Sequence, residues 1–283
     1  MKALASQSPE ARCQIPLRYK EIYEKELKAV MKSECGSRDF GIALQFLAVS
    51  PDAAECDMIN KACRGLGTDE KVLFPIICGR SNKEMQILRK KYFELFSKDL
   101  GQVLDSELGG SFEQIIFNCL QASEEEYDPE YHNEDKMKTD VAELYSLGQG
   151  KWGTDEVGLF KILVASPPEY LKKLNYAYAD AHDVTLFNIL KTELGGKVKE
   201  ATLFMLGMKV KPYETVANLI IEACKGFGTN ELLLTTTVIR YHGILREVMA
   251  AYTEMKGEDL QDLIEREAGG DYERLLIELC NSA

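Results

Sequence analysis

The hexapeptide Gly-Leu-Gly-Thr-Asp-Glu at residues 65–70 returns as Gly-Phe-Gly-Thr-Asn-Glu at residues 226–231, and a variant, Lys-Trp-Gly-Thr-Asp-Glu, lies between them at residues 151–156. Each copy is followed by a glutamate 39, 39 or 38 residues after its threonine. After one intervening residue, each glutamate is followed by two glycines; the three are Glu107, Glu193 and Glu267. A glycine-rich loop and a distant carboxylate, repeated in register, are hard to obtain by chance.

The chemistry of this pattern suits a hard cation. Glycine adopts positive φ at no steric cost, so the loop can turn successive carbonyl oxygens outward. Calcium takes 6–8 oxygen ligands, and backbone carbonyls and carboxylates are among those it uses in proteins. The sequence therefore predicts a repeated Ca²⁺ site, in which neutral loop oxygens are completed by the distant glutamate.

Length, cysteine content and charge narrow the class of protein. The chain has 283 residues, 45% of them hydrophobic, which is enough to bury a large core. Its eight cysteines include no CxxC pair and follow no secretory signal pattern, so we expect reduced thiols in a cytoplasmic protein. No apolar stretch approaches the length of a transmembrane helix, so any membrane contact is expected to be peripheral. A net charge of −12 predicts no nucleic-acid partner, and a cation bridge wherever the chain meets an acidic surface.

The glutamate series extends backward to Glu34 and gives a repeat of about seventy residues, with one longer junction. Apolar residues recur after these glutamates with helical spacing, and signals for β-strands are nearly absent, so the predicted fold class is all-α. In the second copy we expect helices at about 52–63, 69–79, 82–96, 99–108 and 111–122, with Thr68 as an N-cap and a capping box at Ser81. The predicted organisation is a first repeat at 1–50, a second at 51–123, a solvated acidic linker at 124–140, a third repeat at 141–210 and a fourth at 211–283.

Over essentially its whole length the chain resembles the annexins. The resemblance rests on the four repeats, the long link between the second and third, the Lys/Arg-Gly-x-Gly-Thr loops with their distant acid, and Gly-Asp-Tyr-Glu-Arg-Leu-Leu at residues 270–276. It implies a curved disc of four five-helix repeats that binds acidic phospholipid through loops on its convex face. Calcium would bring such a protein from the cytoplasm to the membrane surface.

The resemblance also implies a ligand set for each site. The metal ligands would be the carbonyls of Cys63, Gly65 and Gly67 with the carboxylate of Glu107, the carbonyls of Cys224, Gly226 and Gly228 with Glu267, and, in a third loop that carries one extra residue, the carbonyls of Gly148, Lys151 and Gly153 with Glu193. Against the family's pattern, the first repeat, at 1–50, is expected to be truncated: it keeps Glu34 but lacks the first helix, most of the second helix and the loop between them. No loop-type site is expected there.

The side chains of the loops suggest how a membrane would be contacted. Leu66, Trp152 and Phe227 would press on the headgroup boundary, where amphipathic rings such as that of tryptophan are favoured. Arg64 and Lys225, like Lys151, stand beside the loops and could contact phosphate. Ordinary surface charge explains the basic residues equally well, and partial core burial is the alternative for Trp152.

Two other functions remain open at this level. An enzyme is the first, but the three histidines, His132, His182 and His242, show no metal-ligand spacing, and no nucleophile or phosphate-loop motif is present. A calcium-regulated scaffold for proteins or cytoskeleton is the stronger alternative, because the same loops could bind a protein carboxylate.

Overall fold

The fold is all-α, as predicted. The computed structural model describes residues 1–65, 67–148, 155–226 and 228–283. The described residues are 76% helical and contain no β-strand.

The described residues form twenty α-helices. In chain order they are α1 (Lys2–Ala5), α2 (Pro9–Arg12), α3 (Gln14–Tyr23), α4 (Leu27–Cys35), α5 (Asp39–Leu47), α6 (Pro51–Ala62), α7 (Glu70–Ile77), α8 (Asn82–Phe96), α9 (Leu100–Glu107), α10 (Gly110–Leu120), α11 (Glu134–Leu147), α12 (Glu156–Ala165), α13 (Pro168–His182), α14 (Leu186–Glu193), α15 (Gly196–Val210), α16 (Pro212–Ala223), α17 (Glu231–Arg240), α18 (Leu245–Lys256), α19 (Leu260–Glu267) and α20 (Gly270–Asn281). A 3-10 turn at His242–Ile244 precedes α18.

The five helices expected in the second copy are present as α6 to α10, each within about two residues of the predicted bounds. The capping box is confirmed, since the Ser81 hydroxyl accepts from the Glu84 amide at 3.3 Å and the Glu84 carboxylate accepts from the Ser81 amide at 2.9 Å. The N-cap predicted at Thr68 is wrong. Helix α7 begins at Glu70, and the Asp69 carboxylate accepts from the Val72 amide, so Asp69 occupies the capping position one residue later.

The first of two compact units comprises residues 1–76, 94–96 and 213–283. Helix α5 lies at its centre and contacts α4, α6, α17 and α20. Its apolar face is buried, with Leu44 and Leu47 at 2% exposure or less. The unit also holds a buried polar group, in which Arg240 pairs with Glu55 and donates to the Pro75 carbonyl.

The second unit comprises residues 77–93 and 97–212. In it α10 contacts α12 and α15, while α13 contacts α11, α14 and α15. Ile116, Leu163 and Leu174 are buried in this core. These side chains come from three different helices, α10, α12 and α13, so the second unit, like the first, is built from helices that turn their apolar faces inward.

The acidic linker predicted at 124–140 is partly helical, because helix α11 begins at Glu134. Nearly all of its residues are exposed or half-buried. Two of the preceding residues are nevertheless anchored within the second unit: Glu124 pairs with the buried ammonium of Lys209 at 2.8 Å, and His132 is only 3% exposed. The pairing of Glu124 with a residue distant in sequence was not predicted.

Candidate calcium and membrane site

The loop at residues 224–230 has the backbone that a carbonyl cage needs. Gly226 and Gly228 have φ of 109° and 96°, values that other residues adopt only with strain. Both glycines are exposed, and a Cβ built on either would meet no atom within 4 Å. The glycines are therefore required by backbone conformation and not by lack of space. Within the described parts of the chain, no hydrogen bond joins a donor to the carbonyl of either residue.

The loop at residues 63–69 repeats this geometry. Gly65 has a φ of 128° and Gly67 a φ of 92°, and both are exposed with open space around them. The carbonyl-bearing residues predicted for this site, Cys63, Gly65 and Gly67, thus lie in a left-handed, outward-facing loop like that of residues 224–230.

One backbone hydrogen bond closes each of the three loops. The amide of Asp69 donates to the Ala62 carbonyl at 2.9 Å, and that of Asn230 donates to the Ala223 carbonyl at 2.7 Å. In the third loop the amide of Asp155 donates to the Leu147 carbonyl at 2.8 Å. This third ring is one residue longer, as the extra residue in the sequence predicted.

The residue that closes each loop also begins the next helix. The side chains of Asp69, Asp155 and Asn230 accept from the backbone amide three residues further on, at 3.3, 3.1 and 2.9 Å. Such a side chain satisfies one of the unpaired amides at a helix N-terminus. The loop and the start of the following helix are therefore fixed by the same residue.

The predicted carboxylates occupy one repeated position. Glu107, Glu193 and Glu267 are the last residues of three eight-residue helices, α9, α14 and α19. In each case an extended residue follows, and a glycine with φ between 52° and 63° begins the next helix. Because unpaired carbonyls give a helix C-terminus partial negative charge, these positions favour a cation even before the carboxylate is counted.

Glu267 is directly connected to its loop. The hydroxyl of Thr229 donates to Oε2 of Glu267 at 3.0 Å and to the Glu267 carbonyl at 3.2 Å. Burial and the nearby Glu267 carboxylate raise the pKa of the Cys224 thiol to about 12. The thiol therefore stays protonated at neutral pH, and Cys224 can offer a metal its carbonyl but not a thiolate.

For Glu193 and Glu107, fewer contacts with the predicted loops are seen among the described residues. A Cβ built on Gly148 would lie 3.9 Å from Cγ of Glu193, so this predicted pair is adjacent in the second unit. Glu107 lies in the second unit, whereas its predicted loop, Cys63 to Gly67, lies in the first. Five of the predicted site residues lie outside the described residues: Leu66, Lys151, Trp152, Gly153 and Phe227.

The donor set fits calcium better than a softer metal. Among the described residues, no group of three or more His, Cys, Asp and Glu side chains is arranged to hold a metal. A site built there must consist mainly of neutral backbone oxygens with a single carboxylate, which are ligands for a hard cation. Arg64 and Lys225 are exposed beside their loops, and Lys225 pairs with Glu222 at 3.0 Å.

The three histidines make hydrogen bonds or ring-stacking contacts with neighbouring residues. His132 is buried, where Nε2–H donates to the Glu125 carboxylate and Nδ1 accepts from the Asp128 amide, each at 3.1 Å. The ring of His182 stacks on that of Tyr145 with centroids 4.2 Å apart. His242 is buried and donates from Nε2 to the Leu279 carbonyl at 3.1 Å. These contacts hold each of the three rings in place.

Two features of the site were missed by reasoning from the sequence. One is the carboxylate contact of Thr229, and the other is the capping role of Asp69, Asp155 and Asn230. A signal for the second existed, because a threonine followed by Asp or Asn recurs in all three loops. For the first, the constant spacing between each loop and its glutamate did not indicate that the Thr229 hydroxyl would contact Oε2 of Glu267.

An all-α chain with these recurring loops and helix-terminal glutamates belongs to the class of helical repeat proteins. The Annexin family model matches residues 54–118 and 215–279, and each matched segment contains one loop together with its glutamate. Mouse annexin A13 is 31% identical over 280 residues, which cover 99% of this chain and 87% of the relative. The chain belongs to the annexin family.

Solved structures agree with this assignment. The structure of annexin III matches with a TM-score of 0.90 and 26% identity, covering 98% of this chain and 85% of that one. A calcium-bound annexin (Sm)1 matches with a TM-score of 0.83 and 22% identity, covering 99% of this chain and 83% of that one, and supports the fold. Annexins bind phospholipid membranes in a calcium-dependent manner, and they do so peripherally. None of the described helices is both long and apolar enough to span a bilayer.

Proposed function

We propose that this chain binds acidic phospholipid membranes through its three Gly-rich loops when each holds a Ca²⁺ ion completed by Glu107, Glu193 or Glu267. The contact of Thr229 with Glu267 is the observation that carries the proposal, because it holds a carboxylate beside a left-handed loop of exposed carbonyls. The repeated closing hydrogen bond supports the same role for the other two loops.

The ligand count explains why lipid would be needed. Three carbonyls and a bidentate carboxylate supply about five oxygens, fewer than the 6–8 that calcium takes. Water fills the remaining positions in solution, and a lipid phosphate or carboxylate can replace it. Metal and lipid then raise each other's affinity by the same factor, as thermodynamic linkage requires. With only one charged ligand, the ion would bind weakly without lipid, with a Kd of about 10⁻⁴–10⁻³ M.

Several loops on one molecule act together. Once one loop is bound, the others meet the membrane at high effective concentration, so the overall affinity exceeds that of any single site. Leu66, Trp152 and Phe227 are proposed to press into the headgroup boundary, and Arg64, Lys151 and Lys225 to contact phosphate. A net charge of −12 makes the calcium bridge necessary, since without it the protein and an acidic surface repel each other.

Sedimentation with liposomes tests this function. The full chain is mixed with vesicles of phosphatidylcholine alone or of phosphatidylcholine with phosphatidylserine, over a calcium series and then with chelator. We expect pelleting only with phosphatidylserine and calcium, reversed by chelator. Pelleting that is independent of calcium would contradict the proposal, and so would a lack of pelleting at millimolar calcium.

The scaffold function is the alternative, with cytoskeletal or other protein partners in place of lipid. It predicts that the same loops bind a protein partner when calcium is present and that the chain does not pellet with vesicles.

We propose that the chain has no enzymatic activity and that it is a cytoplasmic protein that moves to membranes as calcium rises. The single tryptophan, Trp152, would report the third loop, because its emission should shift to shorter wavelength when calcium and acidic vesicles are both present.

A further inference from the structure

Two buried cysteines of the second unit lie side by side. Cys78 follows the last residue of α7, Cys119 lies near the end of α10, and their sulfur atoms are 3.8 Å apart. Both are free thiols; Cys78 has no exposed surface, whereas Cys119 keeps 9% of its surface exposed. Because the two cysteines are 41 positions apart in the chain, the fold brings them together and no local motif does.

A narrow crevice in the second unit reaches Cys119. Its volume is about 20 Å³, which is room for roughly one water-sized molecule. Cys119 forms part of its wall, together with the exposed residue Ser123. Cys78 does not line the crevice, although its neighbours Ile77 and Gly79 do. A small solute that enters from the surface therefore meets Cys119 before it can meet Cys78.

The buried cation of Lys209 lines the same crevice. Burial lowers the pKa of Lys209, and the charges of Glu124 and Cys119 oppose that shift, so the ammonium and the sulfur are near enough to interact. A cation beside a thiol favours the thiolate, which is the nucleophilic form of cysteine. The hydrogen bond with Cys119, and then burial, raise the pKa of Cys78 well above its ordinary value, so Cys78 keeps its proton at neutral pH. The two thiols therefore differ in both access and charge.

We propose that this pair is an oxidation site, at which a small hydroperoxide such as hydrogen peroxide converts Cys119 and Cys78 into a disulfide. The sulfur of Cys119 attacks one peroxide oxygen: an S–O bond forms, the O–O bond breaks, and the released hydroxide leaves as water with the proton that Cys119 gave up. The sulfur of Cys78 then attacks the sulfenic sulfur, so that the S–S bond forms, the S–O bond breaks and a second water leaves with the Cys78 proton. The two thiols together lose two electrons, and the peroxide is reduced to two waters.

The disulfide would close a long loop of the chain. It would tie the turn after α7 to α10, with α8 and α9 enclosed between the two cysteines. Closing such a loop lowers the entropy of the unfolded chain, so the oxidised protein should resist urea better than the reduced protein. The reaction requires neither calcium nor lipid, which separates it from the proposed membrane binding.

Peptide mapping of the full chain tests the pair. Reduced protein in chelator is treated with a small excess of hydrogen peroxide, the remaining thiols are alkylated in denaturant, and the chain is digested with trypsin without reductant. We expect the tryptic peptides 72–80 and 99–136, which carry Cys78 and Cys119, to be linked, and dithiothreitol to separate them. Oxidation at the less buried cysteines, with this pair still alkylated, would overturn the proposal.

Single substitutions test the order of the two steps. In Cys78→Ala the sulfenic acid has no partner thiol, so Cys119 should gain oxygen, whereas in Cys119→Ala the thiol of Cys78 should remain unoxidised. Oxygen on Cys78, or on neither residue, would contradict the mechanism. Cys280→Ala is the matched control, because Cys280 is also buried, and it should form the disulfide like wild type. The urea midpoint should rise on oxidation of wild type and control but not of Cys119→Ala, and an unchanged midpoint in wild type would argue against the cross-link.

Discussion

The Thr229 hydroxyl donates a hydrogen bond to Oε2 of Glu267 at 3.0 Å, across 38 residues of chain. This contact joins the loop that offers neutral oxygens to the helix end that offers charge. A carboxylate already held beside the loop loses less conformational freedom when an ion binds than a freely rotating one does. Thr229 is in this sense a positioning residue for the proposed calcium site of the fourth repeat, at residues 224–230.

Thr229→Val should weaken the fourth site, because it removes the hydroxyl and keeps the branched shape. The test uses a Glu107→Gln, Glu193→Gln background, in which the loop at residues 224–230 is the only one that keeps its glutamate. There we expect the calcium concentration for half-maximal liposome binding to rise about tenfold, because the variant loses a hydrogen bond to a charged group. Thr229→Ser, which keeps the hydroxyl, should stay near the background protein. An unchanged calcium requirement for the valine variant would remove the positioning role.

Changing Glu107, Glu193 and Glu267 together to glutamine should raise the calcium requirement further than any one change. Glutamine keeps the shape but loses the charge and the bidentate ligation. The calcium concentration for half-maximal liposome binding should therefore rise about tenfold or more. The melting temperature without calcium should change little, since these side chains lie at exposed or half-buried helix ends. Glu34→Gln serves as the control, because no matching loop is expected in its repeat. Liposome binding at unchanged calcium would show that the ligands are elsewhere.

The loop glycines should be intolerant of any side chain. Gly228→Ala, at φ 96°, should cost roughly 1–3 kcal/mol of backbone strain or deform the loop, and it should reduce calcium-dependent liposome binding. Gly243→Ala is the matched control: it also has no atom within 4 Å of an added Cβ, but its φ is outside the positive range. Equal binding by both variants would mean that the left-handed backbone is not needed.

Much of this architecture could be predicted from the sequence, for physical reasons. The helices of the second copy follow from apolar spacing, and the capping box at Ser81 from residues three apart, because both are local rules. The glutamates were found because repetition marked them. The N-cap predicted at Thr68 lies one residue later, at Asp69, which is a local error. The non-local contact of Glu124 with Lys209, which anchors the mostly exposed linker, was not predicted. No local rule could anticipate a lysine 85 residues away from Glu124.

That lysine should matter for stability. The Lys209 ammonium is buried, pairs with Glu124 and donates to the carbonyls of Val164 and Ser166 at 2.8 and 2.7 Å. Burial lowers its pKa, and the Glu124 carboxylate opposes that shift. Lys209→Met should therefore destabilise the protein by about 3–5 kcal/mol, because it leaves a partly buried carboxylate and two carbonyls unpaired. Chemical denaturation measures this, with Lys191→Met, at an exposed position, expected to differ little from wild type.

Acid should weaken the first unit through His242. Burial, and then the charge of Arg12, lower the pKa of this histidine below its usual 6.5, while Glu10 acts in the opposite direction. The folded chain therefore binds fewer protons there than the unfolded chain, so the contribution of His242 to stability is present above about pH 6.5 and is lost as the pH falls below it. Melting temperatures from pH 8 to pH 5 should fall less for His242→Gln than for wild type. Parallel curves would contradict this.

The closing hydrogen bond of each loop bears on how such a repeat can change over time. The bond from the residue after threonine to the end of the preceding helix is kept in the third loop despite an extra residue, so the insertion is contained between Leu147 and Asp155. The next helix begins directly after the closing residue in all three cases, at Glu70, Glu156 and Glu231. Calcium sensitivity can therefore drift separately in each repeat, by insertion or substitution within the ring, while the helical framework is inherited unchanged. A duplicated site of this kind can diversify into a graded set of sensors without a new fold.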